Sequence, residues 1–195
     1  MTGLGAAPVL HTPRLTLRPL DVEDVPAVLA YAGEPGFFRF VSDAPAEVRE
    51  HYGPHHAEAH VAELLDLAAR GFPNWGIVPR GASQPAGALR FKPAAEDGAP
   101  ELGYGLAAAW RGQGLAKEAA AAVVAWAAPR SALVARCDPR NLASLAVLRH
   151  AGFRPNGSDA AGRLLFKADG RGWGAPASRR VGPNLNLATA STRLP

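Results

Sequence analysis

The chain of 195 residues is 48% hydrophobic and 19% charged, a length and balance that favour one globular domain with a full core. No apolar run approaches the ~20 residues of a membrane-spanning helix, the first eleven residues hold no basic stretch followed by an apolar one, and the single cysteine, Cys137, excludes internal disulfides and Cys-rich zinc modules. All 17 acidic residues and 17 of the 21 Lys and Arg lie at or before Asp169, so the net charge of +4 comes from Arg171, Arg179, Arg180 and Arg193, and the body lacks the basic stripe of a nucleic-acid binder. A soluble, cytoplasmic chain is expected. One domain is expected over residues 1–169, followed by a basic, flexible tail over 170–195 in which Gly, Pro, Ser and Arg replace any periodicity.

The alternation in Arg14-Leu-Thr-Leu-Arg18 predicts a half-buried strand that Pro19 stops. Asp21 then caps a helix whose buried stripe is Val25, Val28 and Leu29, with Asp24 in the first turn. Residues 32 to 45, rich in Gly, Pro and Phe, read as a loop. A second helix is predicted from about Pro54 to Arg70, ended by Gly71. Short strands follow at 74–78, 86–91 and 101–106. Gln113 to Ala128 is a long Ala-rich helix with Leu115, Ala119, Val123 and Trp126 on one face. A strand at 132–137, a helix at 141–151 and a closing strand at 163–167 complete the order β-α-α-β-β-β-α-β-α-β. Helices interleaved with hairpins imply an α/β layer fold with a mixed sheet, antiparallel in its middle.

The chemistry concentrates where the strand from Glu101 runs into Arg111-Gly112-Gln113-Gly114-Leu115-Ala116 and a helix begins at once. Amides at a helix start point outward without partners, and the helix dipole adds partial positive charge, so such a turn can hold a phosphate or pyrophosphate. Glycine allows oxygen atoms to approach the main chain. Taken alone, the segment reads equally as a tight strand-to-helix connection. It is neither a P-loop, lacking the Gly-Lys-Ser/Thr ending, nor a Rossmann fingerprint.

Three motifs in order carry a resemblance to a known family. Arg111-Gly-Gln-Gly-Leu-Ala116 resembles the Arg/Gln-x-x-Gly-x-Gly/Ala signature of the GNAT superfamily of acyl-CoA N-acyltransferases. Asn141-Leu-Ala-Ser144, followed by Gly152-Phe153, is similar to the superfamily's next block. Leu10-His-Thr-Pro-Arg14-Leu-Thr-Leu-Arg18-Pro19 and Glu101-Leu-Gly-Tyr104 resemble the RimJ/RimL-type branch of ribosomal-protein N-terminal acetyltransferases. The resemblance spans about residues 10 to 168. It implies the GNAT fold: a mixed, mostly antiparallel central sheet, splayed near the acyl-CoA site, with helices on both faces.

The resemblance further implies acetyl-CoA as co-substrate. The amides of Arg111, Gly112, Gln113, Gly114, Leu115 and Ala116 would hold its pyrophosphate, the main chain near Leu106 and Ala107 would pair with the pantetheine arm, and Asn141 would hydrogen-bond that arm. Many members carry a Tyr seven residues after the Asn to protonate the leaving thiolate. Leu148 stands there, and the hydroxyl of Ser144 is the natural replacement; otherwise Ser144 only caps or back-bonds within its helix. Glu101 is the candidate base, acting through a water, or else an edge carboxylate paired with a neighbouring Arg or Lys. A strand amide near Leu106 would stabilise the oxyanion. The implied reaction moves an acetyl group to a primary amine by direct attack in a ternary complex, with a protein or peptide N-terminal α-amine favoured. A small-molecule amine and a non-catalytic acyl-CoA-binding module are the alternatives. A homodimer is an allowed assembly, and neither a membrane nor a nucleic acid is an expected partner.

The cluster His51, His55, His56, Glu58 and His60 places His56 and His60 four apart on a helix, but Ala57 stands where a zincin needs Glu. A solvated face or a lining for the acceptor pocket is the better reading, and no metal is expected. Phe37, Phe38, Phe40 and Trp75 either shape that pocket or pack the core. Cys137, ending a buried strand, is not expected to act as a nucleophile.

Overall fold

The computed structural model describes residues 3–41 and 44–169. The basic tail expected from residue 170 lies outside them. Eight strands form one sheet: β1 (Leu10–His11), β2 (Leu15–Arg18), β3 (Asn74–Pro79), β4 (Gly87–Pro93), β5 (Pro100–Leu106), β6 (Leu133–Cys137), β7 (Arg154–Ser158) and β8 (Leu164–Ala168). Their spatial order is β1-β2-β3-β4-β5-β6-β8-β7. Every neighbouring pair is antiparallel except β5 and β6. The helices are α1 (Val25–Ala32), α2 (Ala46–Glu50), α3 (Pro54–Ala69), α4 (Leu115–Ala127) and α5 (Leu142–His150).

Strand alternation sorts the side chains between two layers. Leu15, Leu17, Trp75, Ile77, Leu89, Phe91, Leu102, Leu106, Leu133 and Ala135 join Val123, Val124, Leu145 and Leu148 in one large core, so α4 and α5 cover that face. Val28, Tyr31, Ala32, Ala57 and Val61 form a second cluster with Phe37, Phe38, Tyr52, Ala88 and Ala107, which places α1 and α3 on the other face. Trp75 is fully buried, meets Phe91 and Trp126 edge-on, and donates its indole N–H to the Pro8 carbonyl at 2.8 Å. It is a core residue and lines no acceptor pocket.

Several elements depart from the sequence expectation. Asp21 caps a short 3-10 turn, Val22–Asp24, before α1 starts at Val25. There Asp24 accepts two hydrogen bonds from Arg18, at 2.6 and 2.8 Å, and is 1% exposed. Burial works to raise the Asp24 pKa, but the Arg18 guanidinium outweighs it and holds the carboxyl below its ordinary value. The short helix α2, the two-residue β1 and the edge strand β7 were not expected. Arg154-Pro-Asn-Gly-Ser158 is exposed throughout and shows no apolar alternation; it is a strand only because it pairs with β8 around a register shift between Pro155 and Ser158.

Candidate active site

Gly112 and Gly114 open the turn before α4 with φ of +75° and +77°. Side chains rarely adopt this left-handed region, which explains glycine at both positions. A Cβ on Gly112 would meet nothing within 4 Å, so the turn presents an open surface. From Gly112 to Lys117 the backbone N–H groups donate to no carbonyl or side chain among the described residues. A run of unpartnered amides at the positive end of a helix is a fitting cradle for a pyrophosphate. Arg111 departs from the expected set, because its amide already donates to the Ala108 carbonyl at 3.1 Å. Its guanidinium instead donates to the Leu106 carbonyl at 2.7 Å and lies 3.7 Å from Glu34.

The turn is braced from the segment between β1 and β2. Arg14 donates to the Gln113 carbonyl at 2.8 Å and to Glu118 of α4 at 2.7 Å, and its own amide donates to Glu118 at 2.9 Å. Thr12 adds a 2.6 Å hydrogen bond to the same carboxylate. Burial opposes ionisation of Glu118, but the donors from Thr12 and Arg14 prevail and lower its pKa. The sequence offered Arg14 and Glu118 only as parts of motifs. Nothing in it indicated that residues 104 apart share one ion pair.

Beyond the turn, the sheet opens. The β5–β6 pairing registers at one place, Glu101 with Val134, so the rest of β5 has no partner on that side. Ala107 donates to the Ala86 carbonyl of the β4 side at 2.8 Å. By antiparallel alternation, the main-chain groups of Leu106 and Tyr104 therefore face the gap, while those of Ala107 face β4. The amide of Ala107, expected near a pantetheine arm, is thus already used toward β4, and Tyr104 is the next residue back along β5 after Leu106 whose main chain faces the open edge. Leu106 keeps its N–H toward the gap, its carbonyl being occupied by Arg111.

Across the gap stands the start of α5. The Asn141 side-chain oxygen caps the helix by accepting from the Ser144 amide at 3.1 Å, which leaves its NH2 group without a partner among the described residues. The Ser144 hydroxyl does not back-bond within α5. It lies 2.7 Å from the Tyr104 hydroxyl, which also donates to the Ser144 carbonyl at 3.1 Å. Burial pushes the Tyr104 phenol above its ordinary pKa, so this is a pair of neutral hydroxyls. Leu148 is 1% exposed in the core, so a hydroxyl at that point of the helix is replaced by hydrocarbon. Cys137 is buried beside them, its thiol pKa raised chiefly by burial, which leaves it unsuited to nucleophilic attack.

Glu101 is 7% exposed and sits inside the sheet, not at its edge. The Arg136 guanidinium donates to both of its oxygens, at 3.1 and 2.5 Å, and reaches Glu96 at 2.9 Å. Five residues of strand, about 17 Å, separate it from Leu106. Both oxygens are engaged by a cation, so of the two readings offered for Glu101 the pairing with a neighbouring Arg is the one seen, and it ties β5 to β6. The histidines also separate. His60 is largely buried, with Nδ1 3.1 Å from the Tyr52 hydroxyl, and burial lowers its pKa to about 4. His56 accepts the Gly53 amide at 3.1 Å. Glu47, His55 and His56 come together, with ligand atoms within 4.8 Å of one another, a grouping that differs from the spaced pair His56 and His60 considered and set aside in the sequence.

No helix among the described residues is long and apolar enough to cross a membrane. The model of the acetyltransferase (GNAT) domain family matches residues 14–154. No curated protein matches the chain. Solved structures similar to it include an acetyltransferase from Agrobacterium tumefaciens, 26% identical, with a TM-score of 0.65 over 83% of this chain and 94% of that one. The ribosomal L7/L12 α-N-protein acetyltransferase RimL, in complex with coenzyme A, is 22% identical with a TM-score of 0.68 over 83% and 97%. The ribosomal-protein-S5-alanine acetyltransferase from Vibrio fischeri is 16% identical with a TM-score of 0.68 over 86% and 100%. An amide cradle ahead of α4, a strand edge opened beside it and a family match over most of the chain converge, and the chain belongs to the GNAT acetyltransferase family as an acetyl-CoA-dependent N-acyltransferase.

Proposed function

We propose that this enzyme acetylates the N-terminal α-amine of a protein or peptide by direct attack in a ternary complex. The observation that carries the reading is that Glu101 is engaged by Arg136, while Glu34 at the open end of β5 accepts the Ala108 amide at 2.7 Å and lies beside Arg111, so neither carboxylate stands free to act as a base. An amine that needs little help suits such a site. An α-amine with pKa near 8 is free to about a tenth at pH 7, whereas a lysine near 10.4 is free to only a few parts in ten thousand. The difference is ~3 kcal/mol in the cost of presenting the nucleophile. Two similar proteins, the ribosomal L7/L12 α-N-protein acetyltransferase RimL and the ribosomal-protein-S5-alanine acetyltransferase, are named for acceptors of this kind and support the reading.

In this reading the amides of Gly112, Gln113, Gly114, Leu115, Ala116 and Lys117 hold the pyrophosphate. The Leu106 amide and the Tyr104 main chain pair with the pantetheine arm, and the Asn141 NH2 group donates to it. The amine nitrogen attacks the thioester carbonyl, the carbon–sulfur bond breaks, and the Ser144 hydroxyl donates to the departing sulfur. Tyr104 supports that step by holding the serine hydroxyl in place from 2.7 Å. The amine's proton leaves to water. The test is thiol release from acetyl-CoA with a panel of N-terminal peptides, lysine-bearing peptides blocked at the N-terminus, and small amines, with Ser144→Ala as control. Turnover of N-terminal peptides that falls in the variant supports the reading. Turnover of small amines alone moves the assignment to a small-molecule acceptor, and tight acetyl-CoA binding with no turnover moves it to a binding module.

A further inference from the structure

On the face that carries α1 and α3, β5 presents Gly103 and Gly105 in place of side chains. Phe37 covers Gly105, where a Cβ would approach its ring to 2.4 Å. Gly103 is overlain by Arg90, its register partner on β4, whose Nε and Cγ would lie 3.5 and 3.7 Å from a Cβ there. Arg90 is partly buried and makes no hydrogen bond or ion pair among the described residues. Three acids on this side already have partners: Asp24 is held by Arg18, Glu101 by Arg136, and Glu34 by the Ala108 amide and Arg111. Tyr31 is 3% exposed, and its buried hydroxyl also lacks a hydrogen-bond partner among the described residues. His60, neutral through burial, and Tyr31 both feel the charge of Arg90. A cation drawn partly out of water without a counterion is costly unless something else supplies the negative charge.

We infer that Arg90 receives a carboxylate carried by the amine acceptor, so that the enzyme selects acceptors with an acid group close to the reacting amine. The inference rests on the acetyl-transfer reading above and names the substrate class of that same site. The anion belongs to the acceptor because the charges of acetyl-CoA reside on its phosphates. Those have their own amides at the far end of β5, three strand residues or about 10 Å past Gly103 and then around the turn. The reacting end of acetyl-CoA bears no negative charge. A guanidinium can take a carboxylate through two parallel N–H donors, and the missing side chain at Gly103 lets Arg90 lie flat against β5.

Two pairs of acceptors test this with the full chain. Free amino acids are compared with their amides, and N-terminal tripeptide amides with Asp at the second position are compared with those carrying Asn. The first pair reports an α-carboxylate and the second a side-chain acid. The expected result is a preference for the acid of about 10- to 100-fold in kcat/KM in one pair, carried by KM. In Arg90→Gln the preference collapses to near unity, and in Arg90→Lys part of it returns. An acid-to-amide ratio near one in both pairs overturns the inference, as does a preference that survives Arg90→Gln. Calorimetry of the same acceptors on CoA-saturated chain separates the two readings. An acid that binds through Arg90 but is never acetylated refutes the acetyl-transfer reading and keeps the carboxylate site. An acceptor acetylated equally with and without its acid does the reverse.

Discussion

Replacing Gly112 with Ala tests whether the turn ahead of α4 is an anion cradle or only a connection. Its φ is +75° and an added methyl meets nothing within 4 Å, so the substitution introduces backbone strain with no collision. Left-handed backbone costs a non-glycine residue about 1–2 kcal/mol, a loss of roughly 2–8 °C in Tm for a domain of this size. Gly98, in the β4–β5 loop, has φ of +69° and equally empty surroundings, so Gly98→Ala carries the same strain away from the site. Both variants should therefore lose comparable stability in a thermal melt. They should part in CoA binding by calorimetry. The strained turn relaxes by rotating a peptide unit, and one amide lost from a charged phosphate costs about 1.5–3 kcal/mol, or roughly 10- to 150-fold in Kd. Gly98→Ala should bind CoA as the parent does. If Gly112→Ala melts lower yet binds CoA within a factor of two, the amides from Gly112 onward are not the cradle.

Glu101→Gln strands Arg136 with Glu96 alone, and loss of one partner of so enclosed a pair should cost about 2–4 kcal/mol while kcat per folded molecule stays near the parent value; a folded variant with kcat down by a hundredfold would restore Glu101 as the base. Ser144→Ala should lower kcat by about 10- to 100-fold with little change in KM for acetyl-CoA, and Tyr104→Phe should lower kcat in the same direction through the serine it supports, a pattern read by steady-state thiol release. His60, with a folded pKa of about 4 against 6.5 when unfolded, binds fewer protons in the native chain. Its contribution is therefore present above pH 6.5 and declines as pH falls toward about 4, by up to ~3 kcal/mol, and melts of His60→Asn between pH 7 and 4.5 should show a flatter pH dependence than the parent.

What the sequence made legible follows the reach of its signals. The helix faces and the central strands obey local periodicity, and the turn at Gly112 and Gly114 is punctuated by glycines whose left-handed backbone the structure confirms. Strand β7 escaped because its five residues are exposed and held only by pairing with β8. That Glu101 could pair with an Arg or Lys was legible, but not which one, because Arg136 lies on a strand 35 residues away and the two meet only through the parallel register of Glu101 with Val134. Tyr104 stood in a quoted motif, but its contact with Ser144 depends on how far β5 and α5 stand apart once the strands diverge.

That divergence explains why the site lies where it does. The chain runs antiparallel from β1 to β5, then crosses through α4 to lay β6 parallel beside β5, the one parallel pair in the sheet. Such a crossover needs a helix, and the helix must begin just past the carboxyl end of β5, so unpartnered amides gather beside a strand edge that β6 leaves bare. Open α/β sheets bind ligands outside the carboxyl ends of strands where the connection changes direction, for the same reason. One topological event supplies both the positive end for a pyrophosphate and the empty strand edge beside it. Arg136 then matters at a distance: by clamping Glu101 at the start of β5, it fixes where the strands begin to part. A variant that loosens that clamp, such as Arg136→Leu, should let the gap shift along β5 and weaken CoA binding even though no residue of the cradle has changed. Unaltered CoA affinity in a folded Arg136→Leu chain would show that the opening is set by α5 alone.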